Sequence, residues 1–267
     1  MSATFNSDAR LVAFGTNDIH VLDLVSGKQT ALTNLSSALG TNHLKALAFN
    51  SDSTQLAIAD DEGNIYVWNI ASDQLINRIH AGQKYAGSGL FYNSDSSRLV
   101  SFSDQAVAIF YTPTFQFPEL YDTSDMFLPP IVTQVSLSSD ESVLVVLLTY
   151  SSNSDANLMF LSEGFVNDLI VSGITHYTDG STFALSSDGN LIVNGVKNEL
   201  HIYQIDPQSS LMLNQPALVA LQGQPSPTKL ISFSPDMRHM ISVSQSTGTD
   251  LSIHDDATMT VWGVCAS

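Results

Sequence analysis

A Ser-Asp or Pro-Asp dipeptide, placed shortly after a short apolar run, recurs six times along this chain. Its aspartates lie 44, 43, 45, 48 and 48 residues apart, at Asp8, Asp52, Asp95, Asp140, Asp188 and Asp236. Self-similarity at a period of this length is typical of proteins built from one repeated supersecondary unit. The spacing therefore predicts six copies of a single structural unit.

Each copy holds short apolar runs that predict β-strands, which we letter a to d. The clearest copy, Leu44–Ile79, has four alternating runs separated by turns rich in Ser, Asp, Asn and Gly. Such runs are strand signals, and no stretch longer than ten residues has helical periodicity. Strand b is predicted at Leu11–Phe14, Leu56–Ala59, Leu99–Phe102, Val143–Leu148, Leu191–Val193 and Met240–Val243, and strand c at Ile19–Leu24, Ile65–Ile70, Val107–Tyr111, Leu158–Leu161, Leu200–Ile205 and Leu251–His254.

Four strands in a unit of about 44 residues resemble the blade of the WD40-repeat β-propeller family. The second unit carries the resemblance best, because Trp68-Asn69 stands where the family has Trp-Asp and Asn42-His43 where it has Gly-His. Asp61 lies in the turn in which the family places its structural aspartate. The serine that would bridge the His and the Trp is replaced, with Ile58 or Asp60 in its neighbourhood.

The other units carry weaker forms of the Trp-Asp pair. An aromatic residue at this position packs between neighbouring blades, so Phe and Tyr keep the packing role and lose the indole hydrogen bond. The pairs are assigned to Leu22-Asp23, Phe110-Tyr111, Phe160-Leu161, Tyr203-Gln204 and His254-Asp255, the third of which is ambiguous.

The resemblance implies an all-β fold: one β-propeller domain over residues 1–267, with six four-stranded blades at about 3–43, 44–86, 87–131, 132–172, 173–228 and 229–267. Seven blades are the alternative if the long connections Thr112–Ile131 and Asp206–Thr228 are parsed differently. Within these connections strand d is expected at Phe115–Leu120 and Ala217–Leu221. Either six blades close without a strand exchange, or the chain is a piece of a longer one.

The repeated Ser-Asp turns are expected to be structural, because an Asp side chain in a turn hydrogen-bonds its own backbone two residues on. We assign this role to Asp52, Asp95, Asp140, Asp188 and Asp236. The resemblance adds His43 and Trp68 as structural residues.

The turn between strands b and c carries an acidic residue in every unit. The resemblance implies that these turns share one face around the mouth of a central channel, where their carboxylates could receive a basic peptide or a divalent cation. The alternative is again a local turn preference. The residues are Asp18, Asp61, Asp104, Asp155, Glu199 and Asp250.

The connection Thr112–Ile131 is rich in aromatic residues, which are enriched in the cores of protein interfaces. It is a candidate docking ridge for a protein partner. The alternative is that the first two aromatics point inward from strand d and the others pack over the blade. The four residues assigned to partner binding are Phe115, Phe117, Tyr121 and Phe127.

Charge and composition exclude several classes of function. With 26 acidic residues against nine Lys and Arg, the net charge of −17 disfavours direct binding of nucleic acid or anionic lipid. No apolar run is long enough to predict a membrane span. One cysteine, Cys265, excludes an internal disulfide framework and a Cys-cluster zinc site. The histidines form no metal-binding pattern and no catalytic motif is present, so we predict no catalytic residues, no metal and no cofactor.

The sequence therefore favours a non-enzymatic, WD40-like scaffold that binds a protein or peptide partner, with basic partners among the candidates, through one face. Two alternatives stay open: a metal-dependent propeller hydrolase or lactonase that uses acids at the channel mouth, and a structural segment of a larger assembly. The sequence does not determine the oligomeric state. It leans slightly to an intracellular location over an exported mature domain.

Overall fold

The computed structural model of this chain describes residues 2–16, 18–84, 87–115, 119–122, 130–138, 143–149, 156–162, 168–169, 182–186, 188–196, 198–204, 218–224, 226, 228–234, 237–245 and 257–263. Within these residues the protein is all-β, with six small antiparallel sheets and one short helix. The chain divides into two compact units, Met1–Val132 and Thr133–Ser267. Sheets 1 to 3 fall in the first unit, and sheets 4 to 6 fall in the second apart from the first two residues of sheet 4.

The first unit contains three four-stranded sheets, each a meander in which neighbouring strands follow one another in the sequence. Sheet 1 is formed by β1 (Ser2–Phe5), β2 (Leu11–Gly15), β3 (Ile19–Asp23) and β4 (Gln29–Ala31). After it comes helix α1 (Thr33–Leu39). Sheet 2 is formed by β5 (Leu44–Phe49), β6 (Gln55–Asp60), β7 (Asn64–Asn69) and β8 (Gln74–His80), and sheet 3 by β9 (Gly89–Tyr92), β10 (Arg98–Phe102), β11 (Ala106–Tyr111) and β12 (Glu119–Asp122).

The second unit contains two four-stranded meanders and one sheet with three described strands. Sheet 4 is formed by β13 (Ile131–Leu137), β14 (Val143–Thr149), β15 (Ala156–Ser162) and β16 (Asp168–Leu169). Sheet 5 is formed by β17 (Phe183–Leu185), β18 (Leu191–Val196), β19 (Glu199–Gln204) and β20 (Val219–Gln222), and sheet 6 by β21 (Thr228–Phe233), β22 (His239–Gln245) and β23 (Ala257–Gly263).

The predicted strands b of all six units and strands c of the first five are confirmed, with small differences at their ends. The described strands d of the two long connections, Glu119–Asp122 and Val219–Gln222, overlap the C-terminal parts of the predicted strands Phe115–Leu120 and Ala217–Leu221, and Phe115 itself lies outside a strand. Apolar content alone does not locate these short edge strands, since an edge strand pairs on one side only.

The sixth unit corrects the prediction. We expected Leu251–His254 as strand c, but β22 pairs directly with β23. Leu251–His254 lies outside the described residues. The register places Met240 opposite Trp262, as it places Leu56 opposite Trp68 in sheet 2. Trp262 therefore occupies in sheet 6 the register position that Trp68 occupies in sheet 2, which the sequence analysis had assigned to His254.

Hydrogen bonds fix Trp262 in this place. Its Nε1 donates to Ser242 Oγ at 2.8 Å, and Gln224 Nε2 donates to the same oxygen at 2.6 Å. Ser242 is two residues beyond Met240 on β22, as Ile58 is two beyond Leu56 on β6. Of the two residues that the sequence analysis places near this position in sheet 2, Ile58 or Asp60, it is Ile58 whose register position corresponds to that of Ser242 in sheet 6.

The a–b turns are built by side chains that bond to the turn's own backbone, as the Ser-Asp repeat predicts. Asp52 Oδ1 accepts from the Thr54 amide at 2.9 Å, and Asp95 Oδ1 accepts from the Ser97 amide at 2.7 Å. Asp188 Oδ1 accepts from the Asn190 amide at 3.1 Å. Side-chain and backbone hydrogen bonds from Thr54 and Ser97 hold the pKa of the Asp52 and Asp95 carboxyls below the usual value. Asp140 and Asp236 lie outside the described residues.

Neighbouring a–b turns of the first unit are also bonded to one another. Asn6 Nδ2 donates to Ser53 Oγ at 2.8 Å, which joins the turn of sheet 1 to that of sheet 2. The Ser51 amide donates to Ser96 Oγ at 2.7 Å, and Ser96 Oγ donates to Ser51 Oγ at 2.9 Å, which joins sheet 2 to sheet 3. A chain of small polar residues therefore connects three sheets at one end of their strands.

Sheet 2 is buried on both faces. Along β7, Tyr66 and Trp68 pack in a cluster shared with sheet 1 and α1, whereas Ile65 and Val67 pack in a cluster shared with sheet 3. Successive side chains of a strand point to opposite faces, which accounts for the continuous apolar run in the sequence. In the first unit, successive sheets therefore pack face to face.

Candidate functional site

The b–c turn of sheet 2 is organised around the carboxylate of Asp60. Its side chain is fully buried and accepts five hydrogen bonds. Oδ1 accepts from the amides of Glu62 at 3.0 Å and Asn64 at 2.8 Å. Oδ2 accepts from Asn42 Nδ2 and Asn64 Nδ2, both at 2.8 Å, and from the Tyr66 hydroxyl at 3.1 Å. Burial would raise the pKa of Asp60, but these donors outweigh it, and the pKa lies below its usual value.

The buried carboxylate of this turn therefore belongs to Asp60, whereas the resemblance had pointed to its neighbour Asp61. Asp61 makes a different bond: its Oδ1 accepts from the His43 amide at 2.8 Å, and its own amide donates to the His43 carbonyl at 3.0 Å. The structural part of His43 is therefore its backbone, since its side chain is exposed. Together with the Asn42 bond to Asp60, these contacts lock the turn to the connection between strands d and a.

Sheet 3 repeats this locking with other residues. Ser103 Oγ donates to the Lys84 carbonyl of the preceding connection and accepts from the Gln105 amide at 3.1 Å. The Asp104 carbonyl accepts from the Val132 amide at 2.9 Å. The Asp104 side chain is exposed and pairs with no described residue. The turn is thus held by its backbone and its serine, which leaves the carboxylate of Asp104 available.

In sheet 1 the b–c turn borders a cleft of about 520 Å³, which we call the Asp18 cleft. Its walls come from three elements: the turn and start of β3, the end of β4, and the first turns of α1. Asp18 is exposed and pairs with no described residue. The cleft is lined by Asp18, Ile19, His20, Ala31, Thr33, Ser36 and Ser37.

The turn that carries Asp18 requires a glycine. A Cβ placed on Gly15 would lie 2.1 Å from the Asp18 carbonyl oxygen, far inside van der Waals contact. Beyond the turn, His20 stacks on Phe14 with ring centroids 5.7 Å apart, and its Nδ1 is buried without a hydrogen-bond partner among the described residues. The backbone of Gly15 thus approaches that of Asp18 closely, and the His20 ring is oriented by its stacking on Phe14.

Helix α1, which forms one wall of the cleft, is attached to sheet 2 through Asp73. This residue was not among the predicted site residues. Asp73 Oδ1 accepts from Trp68 Nε1 at 2.9 Å. Its Oδ2 accepts from the Asn34 amide at 3.0 Å and from Thr33 Oγ1 at 3.3 Å. Trp68 is 3% exposed, so the predicted structural tryptophan also positions α1. An acidic residue five positions after the Trp is the only local signal for this contact.

Predicted site residues elsewhere are distributed differently. Glu199 Oε2 lies 2.9 Å from His201 Nε2, and Gln222 Nε2 donates to Oε1 at 3.3 Å, so this carboxylate is already engaged. Phe115 differs from the expectation of an exposed anchor, since it is 9% exposed and packs in the core between sheets 2 and 3. The side chain of Tyr121 on β12, together with Phe117, Phe127, Asp155 and Asp250, lies outside what the structure describes.

We also looked for a metal site and for a membrane-spanning helix in the described part of the chain. No three His, Cys, Asp or Glu side chains there come together in a way that could hold a metal ion. Nor does any described helix have the length and hydrophobicity needed to cross a membrane. No Lys or Arg lines the Asp18 cleft.

Comparison with models of known protein families gives no match to this chain, and comparison with curated proteins gives none either. The fold defines an all-β protein of small antiparallel sheets. Its described polar sites are turns and connections that hydrogen bonds hold in place.

Proposed function

We propose that this protein is a non-enzymatic binding scaffold of the six-bladed, WD40-like β-propeller type, and that it receives a basic segment of a protein partner on its b–c turns. The observation that carries the proposal is that two exposed carboxylates, Asp18 and Asp104, lie on b–c turns and pair with no described residue. Loops fixed on a rigid scaffold are where binding residues concentrate.

The propeller architecture is supported by the repeated meander and by contacts between first strands. In the first unit, β1 contacts β5 and β5 contacts β9; in the second, β17 contacts β21. Gln134 of β13 also bonds to β17, since its Nε2 donates to the Phe183 carbonyl at 2.7 Å and its Oε1 accepts from the Phe183 amide at 3.2 Å. A radial arrangement of blades brings first strands together in this way.

Basic partners are favoured by charge. The chain has a net charge of −17, and such a field accelerates association with cations and repels anions. The b–c turns of sheets 1 and 3 each present a carboxylate that has no internal partner among the described residues. A carboxylate of this kind loses no existing ion pair when a Lys or Arg of a partner approaches.

The binding test uses a fluorescent peptide of mixed Lys, Gly and Ser and its Glu counterpart, measured by polarisation at low and moderate salt. The lysine peptide should bind, and the double variant D18N/D104N should weaken its binding by about two- to thirty-fold, as expected for two exposed ion pairs of about 0.2–1 kcal/mol each. Screening by salt should reduce the affinity of the wild-type protein.

The matched control is D8N/D95N, which removes two charges from the a–b turns. Asn keeps the oxygen that accepts from the backbone, so these turns should survive. Equal weakening by both double variants would mean that net charge alone attracts the peptide, and absence of binding would overturn the proposal.

Closure of the six sheets into a ring is tested separately by small-angle X-ray scattering. A compact domain of this length has a radius of gyration of about 18 Å. A clearly larger value would exclude a closed ring.

A further inference from the structure

The geometry of the Asp18 cleft points to a ligand class: we propose that it receives an alkylammonium group, supplied by a lysine side chain of the partner. This inference rests on the proposed binding function and specifies which group of the basic segment enters the first unit. It is carried by the hydrogen-bonding state of the groups that line the cleft, and not by the presence of an acidic residue alone.

The hydroxyl groups of the cleft already donate hydrogen bonds to other groups of the protein. Ser36 Oγ donates to the Leu32 carbonyl at 3.1 Å, and Ser37 Oγ donates to the Thr33 carbonyl at 3.0 Å. Thr33 Oγ1 donates to Asp73 Oδ2 at 3.3 Å. Each hydroxyl has one proton and two lone pairs, so the three oxygens can offer only acceptors to a ligand.

The carboxylate of Asp18 has the same preference. It accepts hydrogen bonds, and no described residue donates to it. The buried Nδ1 of His20 has no hydrogen-bond partner among the described residues. An ammonium group carries three N–H donors and no acceptor, which matches a lining of separate acceptors better than a planar guanidinium does.

An anion would find little to bind here. None of the described residues that line the cleft is a Lys or Arg, and the Asn34 backbone amide at the start of α1 already donates to Asp73 Oδ2 at 3.0 Å. The apolar part of the lining, Ile19 and Ala31, suits the methylene stem of a lysine, which packs along apolar surface while its charged end stays among polar groups. At about 520 Å³ the cleft also falls within the range of about 300–1,000 Å³ typical of sites for small ligands.

The test compares three probes by NMR titration of the full chain labelled with 15N. They are a short Gly-Ser peptide with one central lysine, the same peptide with that lysine acetylated, and free 1,5-diaminopentane. The lysine peptide should shift the resonances of His20 and Ser37, and acetylation, which removes the charge and two donors, should weaken binding at least about five-fold. If the diamine binds and the peptide does not, the cleft takes a free amine and the lysine assignment is wrong; the proposed function is then decided by the multi-lysine peptide alone.

Variants locate the effect. D18N removes the carboxylate, and A31L fills the cleft without changing the charge; both should weaken the lysine peptide by about three- to five-fold or more, on the scale of one exposed ion pair. D104N removes the same charge from the b–c turn of sheet 3 and should leave this single-lysine peptide unaffected. Far-UV circular dichroism and melting temperature confirm that each variant is folded.

Each outcome separates this inference from the proposed function. If a basic peptide binds with dependence on Asp104 but tolerates D18N and A31L, the cleft is not the lysine site while the scaffold function stands. If D18N and D104N weaken the lysine peptide equally, long-range charge explains the binding and the inference is wrong. If no basic peptide binds, both proposals fail.

Discussion

Replacing Asp60 with Asn tests the claim that one buried carboxylate organises the b–c turn of sheet 2. Asn has the same shape, but one of the two acceptor oxygens becomes an NH₂ group. If the remaining oxygen serves the two backbone amides, the new NH₂ group faces the side-chain amides of Asn42 and Asn64, which both donate to Oδ2 at 2.8 Å in the wild type. At least two buried donors then lose their acceptor.

The structure sets the size of the effect. Leaving a buried donor unsatisfied costs about 1–3 kcal/mol, so D60N should lower the free energy of unfolding by about 2–5 kcal/mol. For a domain of this size this corresponds to a fall in the melting temperature of about 5–20 °C. Urea titrations followed by far-UV circular dichroism and by tryptophan fluorescence give the free energy directly.

The neighbouring variant D61N is the matched control. It removes the same charge one residue away and keeps the oxygen that accepts from the His43 amide, so its effect should stay within about 0.5 kcal/mol. If D60N proves as mild as D61N, the idea of Asp60 as the centre of the turn is wrong, whatever the distances suggest.

Acid adds an independent readout. The pKa of Asp60 is lower in the folded than in the unfolded protein, so its contribution is complete above the unfolded value of about 4 and is lost as the pH falls through the folded value. The stability gap between wild type and D60N should therefore be constant near neutral pH and should close in strong acid. A gap that widens on acidification would show that the pKa of Asp60 is not lower in the folded protein than in the unfolded protein.

Two further substitutions test other parts of the fold. G63A should cost more than G27A: both glycines have positive φ, +80° and +70°, but a Cβ on Gly63 would lie 2.1 Å from the Gly82 carbonyl carbon whereas one on Gly27 meets nothing within 4 Å. We expect about 1–2 kcal/mol for G27A and clearly more for G63A in thermal unfolding, and equal losses would contradict the close contact. S242A removes the oxygen that accepts from the buried Gln224 side chain and from the half-buried indole of Trp262, and should cost about 1–3 kcal/mol with a shift in tryptophan emission; an unchanged spectrum and melting curve would refute the bridge.

The sequence was informative wherever structure depends on neighbours along the chain. The a–b turns were predictable, because Asp52 and Asp95 bond to amides two residues away, within the same turn. Strands b and c were predictable from their apolar runs, and Trp68 from its place on strand c. These features depend on local chemistry, which a repeat displays several times over.

Features that depend on pairing between distant residues were not predictable in this way. The sequence shows two adjacent aspartates, Asp60 and Asp61, and does not distinguish them. Only the hydrogen bonds from Asn42, Asn64 and Tyr66 show that the side chain of Asp60 is the one that points inward. Strand c of sheet 6 was misplaced because an apolar run at residue 251 competes with the one that carries Trp262, and only register distinguishes them. The Asp18 cleft requires α1, which lies against sheet 2 through Asp73.

The polar chain that connects the a–b turns of sheets 1 to 3 has a consequence for how the first unit comes apart. A four-stranded meander with two apolar faces is unstable once its neighbours leave, and the links from Asn6 to Ser53 and from Ser51 to Ser96 couple each sheet to the next. Local unfolding of one sheet must therefore break its hydrogen bonds to the next sheet. The free energy of opening any one sheet then includes contributions from its neighbours. Amide hydrogens of the first unit should then exchange with nearly one common free energy, as a single cooperative block and not as three separate sheets.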